Sequence, residues 1–386
     1  MKRLEIAYLT STDPRNKRSW SGTHYYVWKA LEKNLGNVDL LGPAEPRLTL
    51  LYCKIIHAFS LYILGRRFNF RHSVILSRAY ARMFGKKLKN KHYDLIVAPA
   101  GATYIAFLKT DIPVFYFSDA TTANSLNYHL ALSSLIPSSR KQSLLIEQKA
   151  IDMARFVSYP SKWAVDSALN DFHAAPRKVF QLPFGTNLDR VPTRGEALQP
   201  KQNRVCKLLF LAVYWENKGG PVAYDALLAL LEEGIDVELT VAGCIPPPEK
   251  FNHPKLKVIP FLDKGIPAEY ARLEELFRES HFFLLPTRFE AFCMGFSEAW
   301  SFALPVVTSN TGGLGSHVVE GKSGFLLPPE AGGKDYAETI LKVWKDQQAY
   351  EQLRVSSRDL YENARNWDVW TKGVQDMLST DPSFRS

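Results

Sequence analysis

The chain has 386 residues, 46% of them hydrophobic, which suits two globular domains of ordinary size, each with its own core. Basic residues outnumber acidic ones 48 to 39, a formal charge of +9 that favours anionic partners without choosing among nucleotides, an anionic membrane surface and nucleic acid. Cys53, Cys206, Cys244 and Cys293 lie far apart and form no CxxC pair, which speaks against a zinc site or a disulfide framework and fits a reducing, cytoplasmic compartment.

The start, Met1-Lys2-Arg3, runs directly into a short strand at 6–9 and does not read as a signal peptide. No segment has about eighteen uninterrupted apolar residues, so no transmembrane helix is expected. After the first strand, a polar loop leads through Trp20-Ser21-Gly22-Thr23 to a helix at 24–33, with Tyr25, Trp28 and Leu31 as inward positions. Gly22 at this strand-to-helix turn would let a ligand approach the backbone closely, although an ordinary tight turn uses glycine too. His24 reads as a surface residue of the helix start rather than a catalyst.

Residues 48–64 are apolar but interrupted by Lys54 and His57. Behind them come Arg66, Arg67, Arg71, Arg78, Arg82 and several lysines, interleaved with Phe68, Phe70, Tyr80 and Phe84. Two readings stay open here. One is an amphipathic surface in peripheral contact with an anionic membrane. The other is a pair of core-packing helices with solvated basic faces. Strands follow at 93–98 and 114–117, and Asp119 sits at the carboxyl end of the second. It suits a contact to a ligand there, or equally the N-cap of the next helix. His129 reads as structural. A helix at 142–155, a short strand within 156–161 and a strand at 179–183 close the first domain, 1–189. Residues 190–204, with Pro192, Gly195 and Pro200, read as a linker.

The second domain, 205–365, opens with a strand at 205–213, then Lys218-Gly219-Gly220 and a helix. An ammonium group after a strand can neutralise a departing diphosphate, although a plain surface lysine fits the short motif as well. Strands at 237–241 and 256–260 follow, the latter leading into Phe261-Leu262-Asp263-Lys264. The apolar run Phe282-Phe283-Leu284-Leu285 reads as a buried parallel strand that stops at Pro286. Glu290 and Glu298 follow, eight residues apart, and a helix begins near Met294. Pro305 ends that helix, a strand starts at Val306-Val307, and a Gly312-Gly313 loop comes next. This is a βαβ unit whose loop lies at the carboxyl edge of a sheet, where ligands bind in open α/β folds. The N–H groups of Met294, Gly295 and Phe296, unpaired at the helix start, would hold a diphosphate with help from the helix dipole. Glu298, about one turn in, would accept both hydroxyls of a ribose. The plainer alternative is two solvated carboxylates.

The stretch 286–329 resembles the nucleotide-sugar-binding segment of retaining glycosyltransferases of family four. The residues that carry the resemblance are Glu290, Phe292, Glu298-Ala299, Pro305-Val306-Val307, Gly312-Gly313, Gly321, Gly324 and Pro328. The resemblance implies an α/β fold of two Rossmann-like domains facing across a cleft (GT-B), with the last helix, within 366–386, packing back on the first domain. It implies that Glu298 holds the ribose, that Glu290 faces the donor sugar, and that Lys218-Gly219 is the phosphate pair. It also implies that the Gly22 loop faces the donor phosphates, that the loop with Phe261 cups the base, and that Asp119 lies near the reacting sugar and acceptor. The sequence departs from the family pattern at Cys293, Ala303 and Ser316, where glycine, glycine and glutamate are usual. It departs again at Val213, where many members carry arginine.

The function this implies is transfer of a sugar from a nucleoside diphosphate sugar, UDP or GDP undecided, to a hydroxyl acceptor, a glycan or a lipid-linked one, with retention. No cofactor or metal is required, since fixed cations and N–H groups meet the diphosphate. The rivals are an epimerase or phosphorylase of the same fold, an inactive binding relative, and a basic nucleic-acid-binding protein. Against the last, the cations are not grouped on a recognisable nucleic-acid-binding motif.

Overall fold

The computed structural model describes residues 2–126, 128, 132–201 and 204–384, so His129 lies outside the described residues. The chain divides into two compact units, Met1–Pro183 with Trp370–Ser386, and Phe184–Val369.

The first unit runs β1 (Leu4–Tyr8), α1 (Thr23–Asn34), β2 (Gly36–Leu40), α2 (Arg47–Leu64), α3 (Val74–Lys87), β3 (Leu95–Pro99), α4 (Ala102–Ile105), β4 (Val114–Phe117), α5 (Thr122–Ser125), α6 (Pro137–Met153), β5 (Phe156–Tyr159), α7 (Lys162–Asn170) and β6 (Val179–Gln181). Its six strands form one parallel sheet in the order β2-β1-β3-β4-β5-β6. The central strands β3 and β4 are buried along their whole length, which is why they read as unbroken apolar runs rather than alternating ones. α1 buries Tyr26, Val27, Ala30 and Leu31, so its inward face is turned from the expected one. Of the three positions expected inside, only Leu31 is buried. Tyr25 and Trp28 sit at the boundary, where Lys17 and Lys29 cover their rings at 5.0 and 4.1 Å.

The two readings of residues 48–92 divide between two helices. α3 packs Leu76, Tyr80, Ala81 and Phe84 into the core. α2 buries only Leu50, Cys53 and Ser60. It is also long and apolar enough to cross a membrane by length and composition, although Lys54 and His57 break the run.

In the second unit, α8 (Arg194–Ala197) precedes β7 (Cys206–Leu211), α9 (Gly220–Glu232), β8 (Val237–Ala242), β9 (Leu256–Ile259), α10 (Pro267–Glu279), β10 (Phe282–Leu285), α11 (Met294–Ser301), β11 (Val306–Ser309), β12 (Gly324–Leu327), α12 (Gly333–Trp344) and α13 (Gln347–Ala364). All six strands are parallel, in the order β12-β11-β10-β7-β8-β9. Read from β9, this is the 3-2-1-4-5-6 order of a dinucleotide-binding sheet, with its switch point between β7 and β10. Residues 190–204, read above as a linker, fall within this unit. The reason is local: Thr193 and Glu196 form a capping box on α8, and the buried Arg354 guanidinium donates to the carbonyls of Ala197 (3.0 Å) and Gln199 (2.9 Å).

α14 (Trp367–Ser379) carries the chain from the second unit back to the first. Within the first unit, Trp370 packs against Phe117 at 5.4 Å and Phe115 at 6.1 Å, Gln375 donates to the Asn34 carbonyl, and Arg155 pairs with Asp381 at 2.5 Å.

Candidate functional site

At the switch point of the second unit, the loops that leave β7 and β10 are tied together. The Arg288 N–H donates to the Asn217 carbonyl at 3.2 Å, and Gly219 packs against Pro286 so closely that a Cβ would lie 1.8 Å from the Pro286 carbonyl oxygen. Gly219 also has φ of 77°, a left-handed conformation that a side chain would strain. This turn aims Lys218 at the neighbouring loop, where its Nζ lies 2.7 Å from Glu290 Oε2 and 3.1 Å from the Phe289 carbonyl. Both side chains are partly buried, so Lys218 is not a solvated surface lysine and Glu290 is not a solvated carboxylate. Val213, where the resemblance expects arginine, is exposed and supplies no charge. The Arg288 backbone is tied to the Lys218 turn, while its exposed guanidinium donates to the Pro329 carbonyl. Nothing in the sequence marks this tie, because it is set by loop pairing rather than by spacing.

Glu298 stands inside α11, 3% exposed. Its partner is Lys264, from the loop after β9, whose Nζ pairs with Oε1 and also donates to the Asn187 carbonyl at 3.1 Å. Burial pushes the Glu298 carboxyl above its ordinary value, and Lys264 pulls it back. The α11 N-cap, Cys293, makes no side-chain cap bond. Of the three N–H groups expected to be open there, that of Phe296 is not: it donates to the Cys293 carbonyl at 3.1 Å, because the first turn tightens to an i→i−3 bond. Met294 and Gly295, the first two helical residues, have no intrahelical acceptor. Phe261 lies just past β9, about half exposed.

The Glu290 loop is held from behind by a residue the sequence reading missed. His317 is fully buried, and its ring lies 3.7 Å from that of Phe292. Arg365 Nε can only donate, so His317 Nδ1 accepts from it at 3.2 Å, and Nε2 carries the proton that it donates to the Cys293 carbonyl at 3.1 Å. Burial and the Arg365 charge hold this imidazole well below its usual range, which keeps it neutral. The Gly313 N–H donates to the Glu290 carbonyl at 3.2 Å, which gives the Gly-Gly loop its structural use. The Cys293 thiol is pushed well up by its low-dielectric surroundings and then by the Glu290 charge, so it is no thiolate nucleophile near neutral pH.

In the first unit, three successive residues at the start of α1 are left-handed: Trp20 (φ 49°), Ser21 (φ 54°) and Gly22 (φ 88°). For Gly22 this costs little, but for Trp20 and Ser21 it is strain. The Trp20 ring packs on His24 at 5.4 Å, and its Nε1 donates to Asp119 Oδ2 at 3.5 Å. Only Gly22 stands out from the sequence here, since nothing in Trp20-Ser21 marks positive φ. Asp119 is not a helix cap: Thr121 caps α5, accepting from the Asn124 N–H at 3.1 Å. His24, expected at the surface, is 7% exposed with Nδ1 2.9 Å from the Tyr8 hydroxyl, and burial lowers it to about 4. Beneath this loop lies Glu147, 2% exposed, which accepts from Tyr116 (2.8 Å), Thr122 (3.1 Å) and Tyr159 (3.3 Å). Burial raises its carboxyl to about 7 against those three hydroxyls, and Asp119 adds to the rise. Among the described residues, no three or more His, Cys, Asp and Glu side chains gather as a metal-binding group.

Two parallel α/β units, with a charged constellation at the switch point of the second, define a protein of the GT-B fold. Solved structures agree: sucrose-phosphate synthase from Thermosynechococcus elongatus superposes with a TM-score of 0.69 over 98% of this chain and 99% of that one, at 14% identity. HepE from Anabaena, solved with UDP and glucose, gives a TM-score of 0.64 over 98% and 100%, also at 14% identity. The family described as Glycosyl transferases group 1 matches residues 206–346. A D-inositol 3-phosphate glycosyltransferase of Jonesia denitrificans is 30% identical over 336 residues, 82% of this chain and 76% of that protein. Its counterpart in Corynebacterium efficiens is 25% identical over 246 residues, 58% of this chain and 55% of that protein, so the match there spans about half of the relative. The chain therefore belongs to the group 1 glycosyltransferases and is an enzyme of that transferase class.

Proposed function

We propose that the chain moves a sugar from a nucleoside diphosphate sugar to a hydroxyl acceptor with retention of configuration, as a metal-independent glycosyltransferase of family four. The observation that supports this most directly is the Lys218–Glu290 pair at the switch point, beside the uncapped start of α11 and the buried Glu298. Lys218 and the N–H groups of Met294 and Gly295 meet the diphosphate. Glu298 takes the ribose hydroxyls, with Lys264 shifting to make room, and Phe261 borders the base. Glu290, released from Lys218 as the diphosphate claims that cation, accepts hydroxyls of the sugar. In the first unit, the Gly22 turn serves the donor phosphates, and Asp119 contacts the acceptor or the sugar.

In the reaction, the bond between the anomeric carbon and the phosphate oxygen breaks, and its electron pair leaves with the diphosphate. The acceptor hydroxyl attacks on the same face and gives its proton to the departing phosphate oxygen. UDP is the first base to test, since HepE was solved with UDP, and GDP the second. Because a relative is named for D-inositol 3-phosphate, an inositol phosphate is one acceptor to try, beside glycans and lipid-linked acceptors.

The test is a thermal-shift panel of UDP, GDP, ADP and their sugars, with and without EDTA. A shift selective for one base and insensitive to EDTA is expected. Glu298→Ala and Lys218→Ala should each weaken that nucleotide about tenfold or more, the worth of a lost charge-assisted hydrogen bond. Unchanged affinity in both variants overturns the site assignment. An EDTA-sensitive shift overturns metal independence, and an inverted anomeric centre in the product overturns retention.

A further inference from the structure

The whole excess of positive charge lies in one stretch. Residues 46–93 hold eleven of the 48 lysines and arginines and none of the 39 acids, so the rest of the chain carries 37 basic against 39 acidic residues. α2 runs through this stretch and has two apolar faces. The inner face is tied to the unit: Leu50 and Cys53 are buried, Cys53 Sγ lies 3.2 Å from Ser73 Oγ, His57 Nδ1 lies 2.6 Å from the Phe68 carbonyl, and Ser60 donates to the Arg66 carbonyl at 2.8 Å. The outer face carries Leu48, Tyr52, Ile55, Phe59 and Tyr62, a helical repeat of steps of four and three. It is open: Leu48 is 85% exposed, Phe59 65% and Tyr62 89%. A surface helix ordinarily turns polar residues outward, and an open apolar stripe of this extent marks an interaction surface.

We propose that the outer face of α2 docks on an anionic lipid surface, the helix lying flat in the headgroup region with the surrounding cations on lipid phosphates. The charge distribution selects this occupant. Docking on a second copy would set the same patch against itself and bring acid-free, like-charged surfaces together. Anionic headgroups instead neutralise them, while the stripe enters the acyl boundary. The helix is long enough to span a bilayer, but spanning would break every inner-face contact named above, and a flat pose keeps them all. α2 also starts just beyond the carboxyl end of β2, the sheet edge that carries the Gly22 turn and Asp119, so the docked face adjoins the site edge of its own unit.

The experiment is co-sedimentation of the whole chain with vesicles of phosphatidylcholine alone or mixed with phosphatidylglycerol. Binding to the mixed vesicles, weakening as salt is added, is expected. Ile55→Glu with Phe59→Glu should lower the bound fraction about tenfold or more with an unchanged melting temperature, as both side chains face outward. Lys54→Glu with Arg66→Glu should remove the preference for anionic vesicles. Failure of the native chain to bind, or binding by the Ile55→Glu, Phe59→Glu variant equal to native, overturns the proposal. A native dimer that the same variant dissolves, without vesicle binding, overturns it in favour of a second copy.

Discussion

Each unit buries one glutamate almost completely, and each handles it differently. Glu298 in the second unit is 3% exposed and meets an ammonium group, Lys264. Glu147 in the first is 2% exposed and meets three hydroxyls, with no cation among the partners that hold it. Burial pushes both carboxyls up, and the partners oppose it. The difference lies in what each arrangement can release. An ammonium group on a flexible stem can leave Glu298, so under the function proposed above this carboxylate can exchange its cation for ribose hydroxyls. Tyr116 and Tyr159 are fixed on β4 and β5, so Glu147 is held for good and serves as a brace under the Asp119 loop.

The largest effect expected from breaking this comparison is at Lys264. Lys264→Met removes the only cation on Glu298 among its described partners and leaves a buried carboxylate, a loss of about 3 kcal/mol or more near neutral pH. At about pH 5 the loss should shrink, because the unpaired carboxyl can take up a proton. Denaturant unfolding at the two pH values checks this, and an equal loss at both would show that the pair carries no ionic character.

Glu147 gives the converse. Its folded-state value of about 7 lies above the ordinary 4.5. The folded state therefore binds this proton more tightly than the unfolded chain does. The stability it contributes is complete below about pH 4.5 and is lost as pH rises through about 7, in all roughly 3 kcal/mol from 1.36 kcal/mol per pH unit. Tyr116, Tyr159 and Thr122 face this carboxyl and stay neutral over that window, and Asp119 stands beyond them. Glu147→Gln should flatten the decline and leave the variant at least as stable as the native chain above pH 7. A decline that persists unchanged in the variant would assign the pH dependence elsewhere.

These two residues also mark how far the sequence was legible. The strands of the second sheet were, because a parallel sheet covered on both sides leaves apolar runs such as Phe282 to Leu285 that no surface element imitates. The placing of Lys218 and Glu290 after neighbouring strands was legible too, since ligand loops of such sheets follow strand ends. The partner of Glu298 was not, because Lys264 is 34 residues away and only the fold joins them. His317 escaped for the same reason: its role is to hold a carbonyl, and neither a carbonyl nor the Arg365 that orients the ring leaves a spacing signal. Glu147 sits in a helix whose other exposed charges hide it. β2 was overlooked because Asn37 and Asp39 interrupt its apolar residues, although its pairing with β1 is regular. On α1 the core took Tyr26 and Val27 and left their neighbours Tyr25 and Trp28 at the boundary, a choice that the helical spacing of three aromatic residues so close together does not make.

The smallest expected effect concerns the strained Trp20-Ser21-Gly22 turn. Ser21 at φ 54° bears a left-handed cost of about 1 kcal/mol, which glycine would avoid. Glycine also gives the unfolded chain more freedom, roughly 0.5 to 1 kcal/mol in the other direction. Ser21→Gly should therefore change stability by less than about 1 kcal/mol. Its effect on turnover is the informative part. Trp20, the next residue back, is equally left-handed and reaches Asp119 through its indole N–H. If that strain fixes the indole and with it the Asp119 carboxylate, Ser21→Gly loosens the pair and kcat falls while the melting temperature holds. If the turn is only a way into α1, both stay where they were, and Asp119 is positioned independently of that strain, with the Ser118 hydroxyl 3.3 Å from its other oxygen.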